Sequence, residues 1–254
     1  VADAEAVLDR AVQQTDDEEV RSLGWMLSKI LGDDVALDEQ GQPRIAEGTA
    51  PDRIISTTDP QMRHGRKSAS RRFDGYKTSA ATEESSEMIL DIGDLPASSG
   101  DGQELMPTVE RVEEHAGVAV ERILGDGAYG SGANRAACAE RTEAPIELIS
   151  PLRRPADPEV DKSAFAIDWE AQTATCPGGQ TLSASAILEK EGREVLKFVF
   201  PRVDCEACRF FERCVHSKKK GRSLTTSPYE TYLRTARDQQ KTEAFQLLYR
   251  QRGR

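Results

Sequence analysis

Four cysteines, Cys176, Cys205, Cys208 and Cys214, stand in the pattern C-x28-C-x2-C-x5-C. Two thiols two residues apart can grip one ion from a single turn, and thiolates select Zn²⁺ over harder cations. Pro177-Gly178-Gly179 follows the first cysteine and reads as a turn that frees backbone for a metal loop. The pattern predicts a small β-rich knob, residues 156–222, stapled by a tetrahedral four-sulfur Zn²⁺ site and too small and polar to build its own core. An iron–sulfur cluster also takes four cysteines, though this is none of the common ferredoxin spacings. Four incidental thiols are the plain alternative. His216, two residues past Cys214, could replace one ligand, and Phe210 and Phe211 read as packing around the metal. Cys138, beside Ala136 and Ala137, reads as a small buried apolar residue.

The fifth cysteine makes the count odd, which argues against a secreted disulfide scaffold. No apolar run approaches the ~18 residues of a membrane span. The opening VADAEAVLDR has neither the basic nor the apolar region of a signal peptide, so a cytoplasmic chain is expected. The formal net charge of −10 argues against nucleic acid until it is divided by region. Residues 1–52 carry a net −9, residues 63–77 a net +5 and residues 190–254 a net +8. Clustered Lys and Arg are the footprint of phosphate contacts. Solvated basic faces are the bland alternative.

Periodicity predicts helices over residues 2–13 and 16–31, the second with Thr15 as N-cap and Gly32 as stop. Residues 33–53 read as loop and 54–72 as irregular. From Tyr76 the chain reads as two strands around a polar turn, then a helix over 101–115 with Leu105, Val109 and Val112 on one face. Asp101 fits its N-cap or first turn. A strand ending at the Gly-flanked Asp126, a short helix from Asn134 and a strand over 145–149 follow. This order is an α/β arrangement with a mixed sheet. Beyond a Pro-rich linker and the cysteine segment, residues 228–252 return to helix.

Asp126 ends the strand ERILGD among Gly125, Gly127, Gly130 and Gly132. Functional groups of open α/β sheets cluster at the carboxyl ends of strands, and an acid there can ligate Mg²⁺. The alternative is an Asp that begins a turn or caps the next helix.

The combination of Ser56-Thr-Thr-Asp59-Pro60, Arg63, Gly75-Tyr76-Lys77, Gly125-Asp126-Gly-Ala-Tyr129 and Leu248-Tyr249-Arg250-Gln251-Arg252 resembles the DDE transposases of bacterial insertion sequences. It is most similar to the branch whose catalytic domain is interrupted by a cysteine-bearing insertion, and the likeness spans about residues 56–254. The resemblance implies a ribonuclease-H-like mixed sheet flanked by helices, in which three acids hold two Mg²⁺ ions for phosphoryl transfer on double-stranded DNA. It also implies dimers of the full-length protein on paired element ends. Asp126 matches the second catalytic acid. Asp59 is a weak candidate for the first, since it matches a substrate-side loop. The third, a glutamate, is expected just past Arg252. The resemblance therefore reads the chain as a partial one, inactive alone, with a non-catalytic DNA- or protein-binding remnant as the alternative. It divides the chain into an acidic helical segment (1–55), a partial catalytic domain (56–155), the cysteine insertion (156–222) and a final catalytic helix (223–254). The expected DNA contacts are Arg63, Arg66, Lys67, Arg71, Arg72 and Lys77, with Lys218, Lys219, Lys220 and Arg222 beside the cysteines.

Overall fold

The computed structural model describes residues 2–252 except 15, 49 and 51, and the chain divides into two compact units, residues 1–111 and 112–254. In the first unit, helix α1 (Ala2–Gln14) packs against helix α2 (Glu18–Asp34). Asp17 caps α2 by accepting the Glu19 N–H at 2.9 Å, and Glu18 and Glu19 complement the positive end of the helix. Thr15, the expected cap, lies outside the described residues. Gly32 is no stop. The helix runs through it, because a glycine costs only about 1 kcal/mol in a helix interior. A Lys29–Asp33 pair at 2.7 Å also holds the last turn.

The stretch read as loop contains a small hairpin, β1 (Val35–Leu37) against β2 (Pro43–Ile45). Asp38 fixes its turn by accepting the Gln40 and Gln42 N–H groups. A second correction falls on the stretch read as irregular, where β3 (Arg63–Arg66) pairs with β4 (Arg72–Thr82). β4 in turn pairs with β5 (Ile89–Pro96), giving an antiparallel sheet in the order β3-β4-β5. A 3-10 turn (Asp101–Glu104) leads into helix α3 (Leu105–Ala116), whose Leu105, Val109 and Val112 are buried as their spacing predicts. Asp101 is a first-turn acid paired with Lys77 at 2.8 Å, and not a side-chain cap. Buried Asp91 on β5 is neutralised by Arg111, which also reaches Glu104 at 2.6 Å.

In the second unit, β6 (Arg122–Leu124) and β7 (Glu147–Ile149) run parallel, joined through helix α4 (Gly132–Ala139). Parallel neighbours require such a crossover. The expected order of strands and helices is therefore present, and the α/β class holds. Within the first unit the sheet is β3-β4-β5, and within the second β6 pairs with β7. Each of β6 and β7 is three residues long, and no described strand hydrogen-bonds to the far edge of either.

The cysteine segment holds two further antiparallel sheets. One contains β8 (Ala166–Asp168), β9 (Thr173–Thr175) and β10 (Thr181–Ser183), in the order β10-β9-β8. The other contains β11 (Ala186–Lys190), β12 (Arg193–Val199) and β13 (Ser223–Thr225), with the short helices α5 (Arg202–Glu206) and α6 (Phe211–Cys214) between its last two strands. This corrects the expectation of a coreless knob. Phe165, Ala174, Leu196, Phe198, Phe200 and Leu224 form one buried cluster, with Phe198 and Leu196 wholly shielded from solvent. Each of the buried Phe and Leu side chains contributes roughly 1.5–3 kcal/mol on burial, so hydrophobic packing gives the segment a core. Leu224 on β13 belongs to that cluster, so the packed segment extends past residue 222. The final helical stretch is two helices, α7 (Glu230–Gln239) and α8 (Glu243–Gln251), broken where Thr242 caps α8 by accepting the Phe245 N–H. Among the described residues no helix is long and apolar enough to cross a membrane.

Candidate functional site

The ladder of β6 and β7 continues one residue beyond the strands, with the Gly125 N–H donating to the Ile149 carbonyl at 3.0 Å. The chain then leaves the sheet and Asp126 opens a tight turn. Its carbonyl accepts the Tyr129 N–H at 3.1 Å, and its Oδ1 accepts the Ala128 N–H at 2.8 Å. Asp126 is thus a turn residue, as the bland reading held, but it is not the cap of α4. That role belongs to Ser131, which accepts the Asn134 N–H. The Asp126 side chain stays 46% exposed, and its Oδ2 lies 3.6 Å from Nη2 of Arg252 at the end of α8. The carboxylate thus stands at the carboxyl end of a parallel strand with one oxygen anchored by the backbone and the other facing a guanidinium.

Beneath the carboxylate, the backbone of this loop is held from the protein side. The Ser150 hydroxyl donates to the Asp126 carbonyl at 2.5 Å. Arg135, on α4, donates from Nε to the Gly130 carbonyl at 3.1 Å and from Nη2 to the Ser150 carbonyl at 2.5 Å. A side chain at Gly130 would place its Cβ 2.6 Å from the Ser150 Oγ and 3.0 Å from Arg135 Nη2, so only glycine fits there. Sequence reasoning passed over Arg135 and Ser150. An arginine in an Ala-rich helix looks like a surface residue, and only the fold shows it to be buried.

Asp59 is differently placed. It lies in the first unit, where its Oδ1 accepts the Gln61 and Met62 N–H groups and both its oxygens accept the Tyr76 hydroxyl at 2.7 and 2.8 Å. The hydrogen bond to this carboxylate raises the Tyr76 pKa above the usual tyrosine range. With these partners Asp59 shapes a turn. Among the described residues no group of three or more His, Cys, Asp or Glu side chains is disposed to hold a metal ion. Asp126 therefore supplies one carboxylate and not a complete two-metal site.

The same finding bears on the cysteines. All four are free thiols, and all four line one cavity of about 380 Å³ together with Phe210 and Arg222. A Cβ at Gly178 would lie 2.7 Å from the Cys208 Sγ and 3.5 Å from the Cys176 Sγ, so two sulfurs stand close to one point. Burial pushes the Cys214 thiol up, opposed by Arg222 and reinforced by Cys205, Cys176 and Cys208. The fold thus gathers the four sulfurs that the spacing predicted. It does not set them at ligating positions, and the expected zinc gains no support from the arrangement as it stands. His216 is exposed and does not line the cavity. Phe210 is buried, as expected of a packing residue. So is Cys138, whose burial raises its thiol pKa.

The expected DNA contacts divide sharply. Lys77 is tied to Asp101 and to the Ser99 carbonyl. Arg63 donates to the Pro60 and Met62 carbonyls. Arg222 donates to the Cys214 carbonyl at 3.2 Å and lies over the Phe165 ring, while its buried Nε–H finds no acceptor among the described residues. These three are structural cations. Arg66, Lys67, Arg71 and Arg72 are exposed around the β3–β4 turn, and Lys218, Lys219 and Lys220 are exposed on the loop after Cys214; none of their side chains enters an ion pair or hydrogen bond among the described residues. Other arginines are neutralised, such as Arg141 by Glu113 and Arg213 by Asp157 and Glu159.

Comparison with known families places residues 175–254 in a match to the family described as the transposase DDE domain. The matched segment holds the four cysteines, the Lys218–Lys220 loop and both final helices, and it does not include Asp126. No curated protein and no solved structure matches the chain.

Proposed function

We propose, from the match of residues 175–254 to the transposase DDE domain, that the chain serves DNA transposition in the following way. The chain binds the phosphate backbone of double-stranded DNA, and Asp126 is one of the acids of a metal-dependent phosphoryl-transfer site. The observation that carries it is the Asp126 carboxylate, half exposed at the carboxyl end of β6 with one oxygen unclaimed by the backbone. Mg²⁺ would supply activation of water or a 3′-hydroxyl and stabilise the leaving oxygen. The protein's own part is narrower. The turn holds Asp126 at the open face, Arg252 screens its charge, and the free cations of the two basic loops meet phosphates.

Because no further acids gather beside Asp126 among the described residues, the chain by itself is expected to lack strand-transfer activity. The lone carboxylate also supports a second reading, a DNA- or protein-binding remnant without catalysis. Incubation of the chain with terminal-repeat DNA and Mg²⁺ or Mn²⁺ tests the expectation. Robust nicking that disappears in Asp126→Ala would overturn it. The finer assignments stand on the resemblance: a ribonuclease-H-like catalytic domain, a cysteine insertion within it, and dimers of the full-length protein on paired ends.

Zn²⁺ is proposed on the chemistry of the cysteines alone, since thiolates select it and the four thiols line one cavity, although they are not set at ligating positions. Four thiolates around one Zn²⁺ carry a net −2, and a buried guanidinium offsets part of it. Elemental analysis of protein purified without chelator should find one zinc per chain. Finding no metal would remove the assignment.

A further inference from the structure

The β3–β4 hairpin carries a charge arrangement that works against its own pairing. Its ladder sets His64 directly opposite Asp74 and Arg66 directly opposite Arg72. Opposed side chains of an antiparallel pair share a face and stand close enough to interact. His64 and Asp74 do so, with Nδ1 of the ring 2.6 Å from the carboxylate. Asp74 is the one acid in β3 and in the four β4 residues paired with it, and His64 takes it. Arg66 and Arg72, on the same face and nearer the tip, are exposed and enter no ion pair among the described residues. Like charges directly opposite each other destabilise a strand pair. Lys67 and Arg71 extend the charge into the turn, so residues 65–73 hold four cations and no acid.

The other face of the ribbon is anchored. A Cβ at Gly65 would lie 2.5 Å from the Phe73 ring and 2.6 Å from the Cβ of buried Ala97, so glycine leaves the room in which both pack against β3. The tip is closed by small residues, Ser68, Ala69 and Ser70. Its conformation is fixed by the Lys67 N–H donating to the Arg71 carbonyl at 2.9 Å and by the Arg71 N–H donating to the Ser68 Oγ at 3.2 Å. The result is a slim, held ribbon with one basic face.

We propose that this ribbon enters the major groove of duplex DNA, where Arg66 and Arg72, one on each strand of the ribbon, meet phosphates on the two sides of the groove. The proposal rests on the DNA-binding reading above and adds where the duplex is held. Paired strands lie about 5 Å apart. The major groove, about 12 Å wide, admits a two-stranded ribbon, and the minor groove, about 6 Å wide, does not. Phosphates beside Arg66 and Arg72 supply the counter-charge that the free hairpin lacks.

The test follows binding of the full chain to a fluorescent duplex in competition with methyl green, a major-groove ligand, and netropsin, a minor-groove ligand. Methyl green should displace the protein and netropsin should not. Arg66→Ala with Arg72→Ala should flatten the salt slope of binding by about 2, at about 0.9 for each phosphate contact, and leave the remaining binding insensitive to methyl green. Arg72→Glu replaces a repulsive cross-strand pair by an attractive one, so it should slow amide exchange in β3 and still weaken duplex binding. Displacement by netropsin and not by methyl green would overturn the proposal. So would wild-type duplex binding by Arg72→Glu, or exchange in β3 that the replacement fails to slow. If the wild type binds no duplex at all, the DNA-binding reading itself fails. If binding is lost only on replacing Lys218, Lys219 and Lys220, that reading stands and the role of the ribbon is overturned.

Discussion

Two aspartates at turns have opposite fates, and their hydrogen bonds explain why. Asp59 accepts from two backbone N–H groups and from Tyr76, so its charge is used within the fold. Asp126 spends one oxygen on Ala128 and leaves the other to a long contact with Arg252. Tyr76→Phe should therefore speed amide exchange at Gln61 and Met62. Hydrogen exchange of the two proteins checks this, and unchanged rates at Gln61 and Met62 would contradict it. Arginine sorts the same way. Guanidinium groups on carboxylates or carbonyls build the fold, and those without partners face solvent and are available to phosphates.

The β4–β5 turn carries a pH-sensitive feature. Glu83 accepts the backbone N–H and the hydroxyl of both Ser85 and Ser86. These bonds, that from the Ser86 hydroxyl foremost, lower its pKa from 4.5 to about 2. A carboxyl with a depressed folded-state pKa stabilises above its unfolded value and loses that contribution as pH falls through the folded one. The turn should hold at pH 5 and loosen between about pH 4.5 and pH 2, read as a downfield-to-random-coil shift of the Ser85 and Ser86 amide resonances. Titration of these resonances near pH 4.5 would contradict it.

At this scale the sequence was legible where periodicity is long. The Leu105–Val109–Val112 stripe marked α3, and the apolar runs marked β4, β5 and β6. It was opaque where pairing decides. β1, β2 and β3 are three- or four-residue strands whose turns are fixed by Asp38 or by ladder bonds and not by apolar patterning. Half of the candidate site was visible in the Gly-flanked Asp126. Its support, Arg135 and Ser150, was not, because both are polar residues whose burial depends on α4 lying across the end of β7.

For the molecule as a whole, the cysteine segment changes most. Spacing suggested a knob that needs a metal to fold, whereas the structure gives it a closed core around Phe198, Phe200 and Leu224. Chelator should therefore shift local exchange near Cys205 and Cys214 and leave β12 protected. Global loss of β12 protection on chelation would show that the metal carries the fold. Charge also has to be read regionally. A net of −10 coexists with two basic segments whose cations have no partner among the described residues.

The central claim, that these loops meet DNA phosphates, is tested most directly by the salt dependence of duplex binding. For B-DNA the slope of log K against log salt is about −0.9 for each phosphate neutralised. Replacing Lys218, Lys219 and Lys220 by Ala should flatten the slope by about 2–3, and replacing Arg66, Lys67, Arg71 and Arg72 by about 3–4, with Asp126→Asn leaving it unchanged. A slope that neither set of replacements alters, or no duplex binding at low salt, would contradict the account.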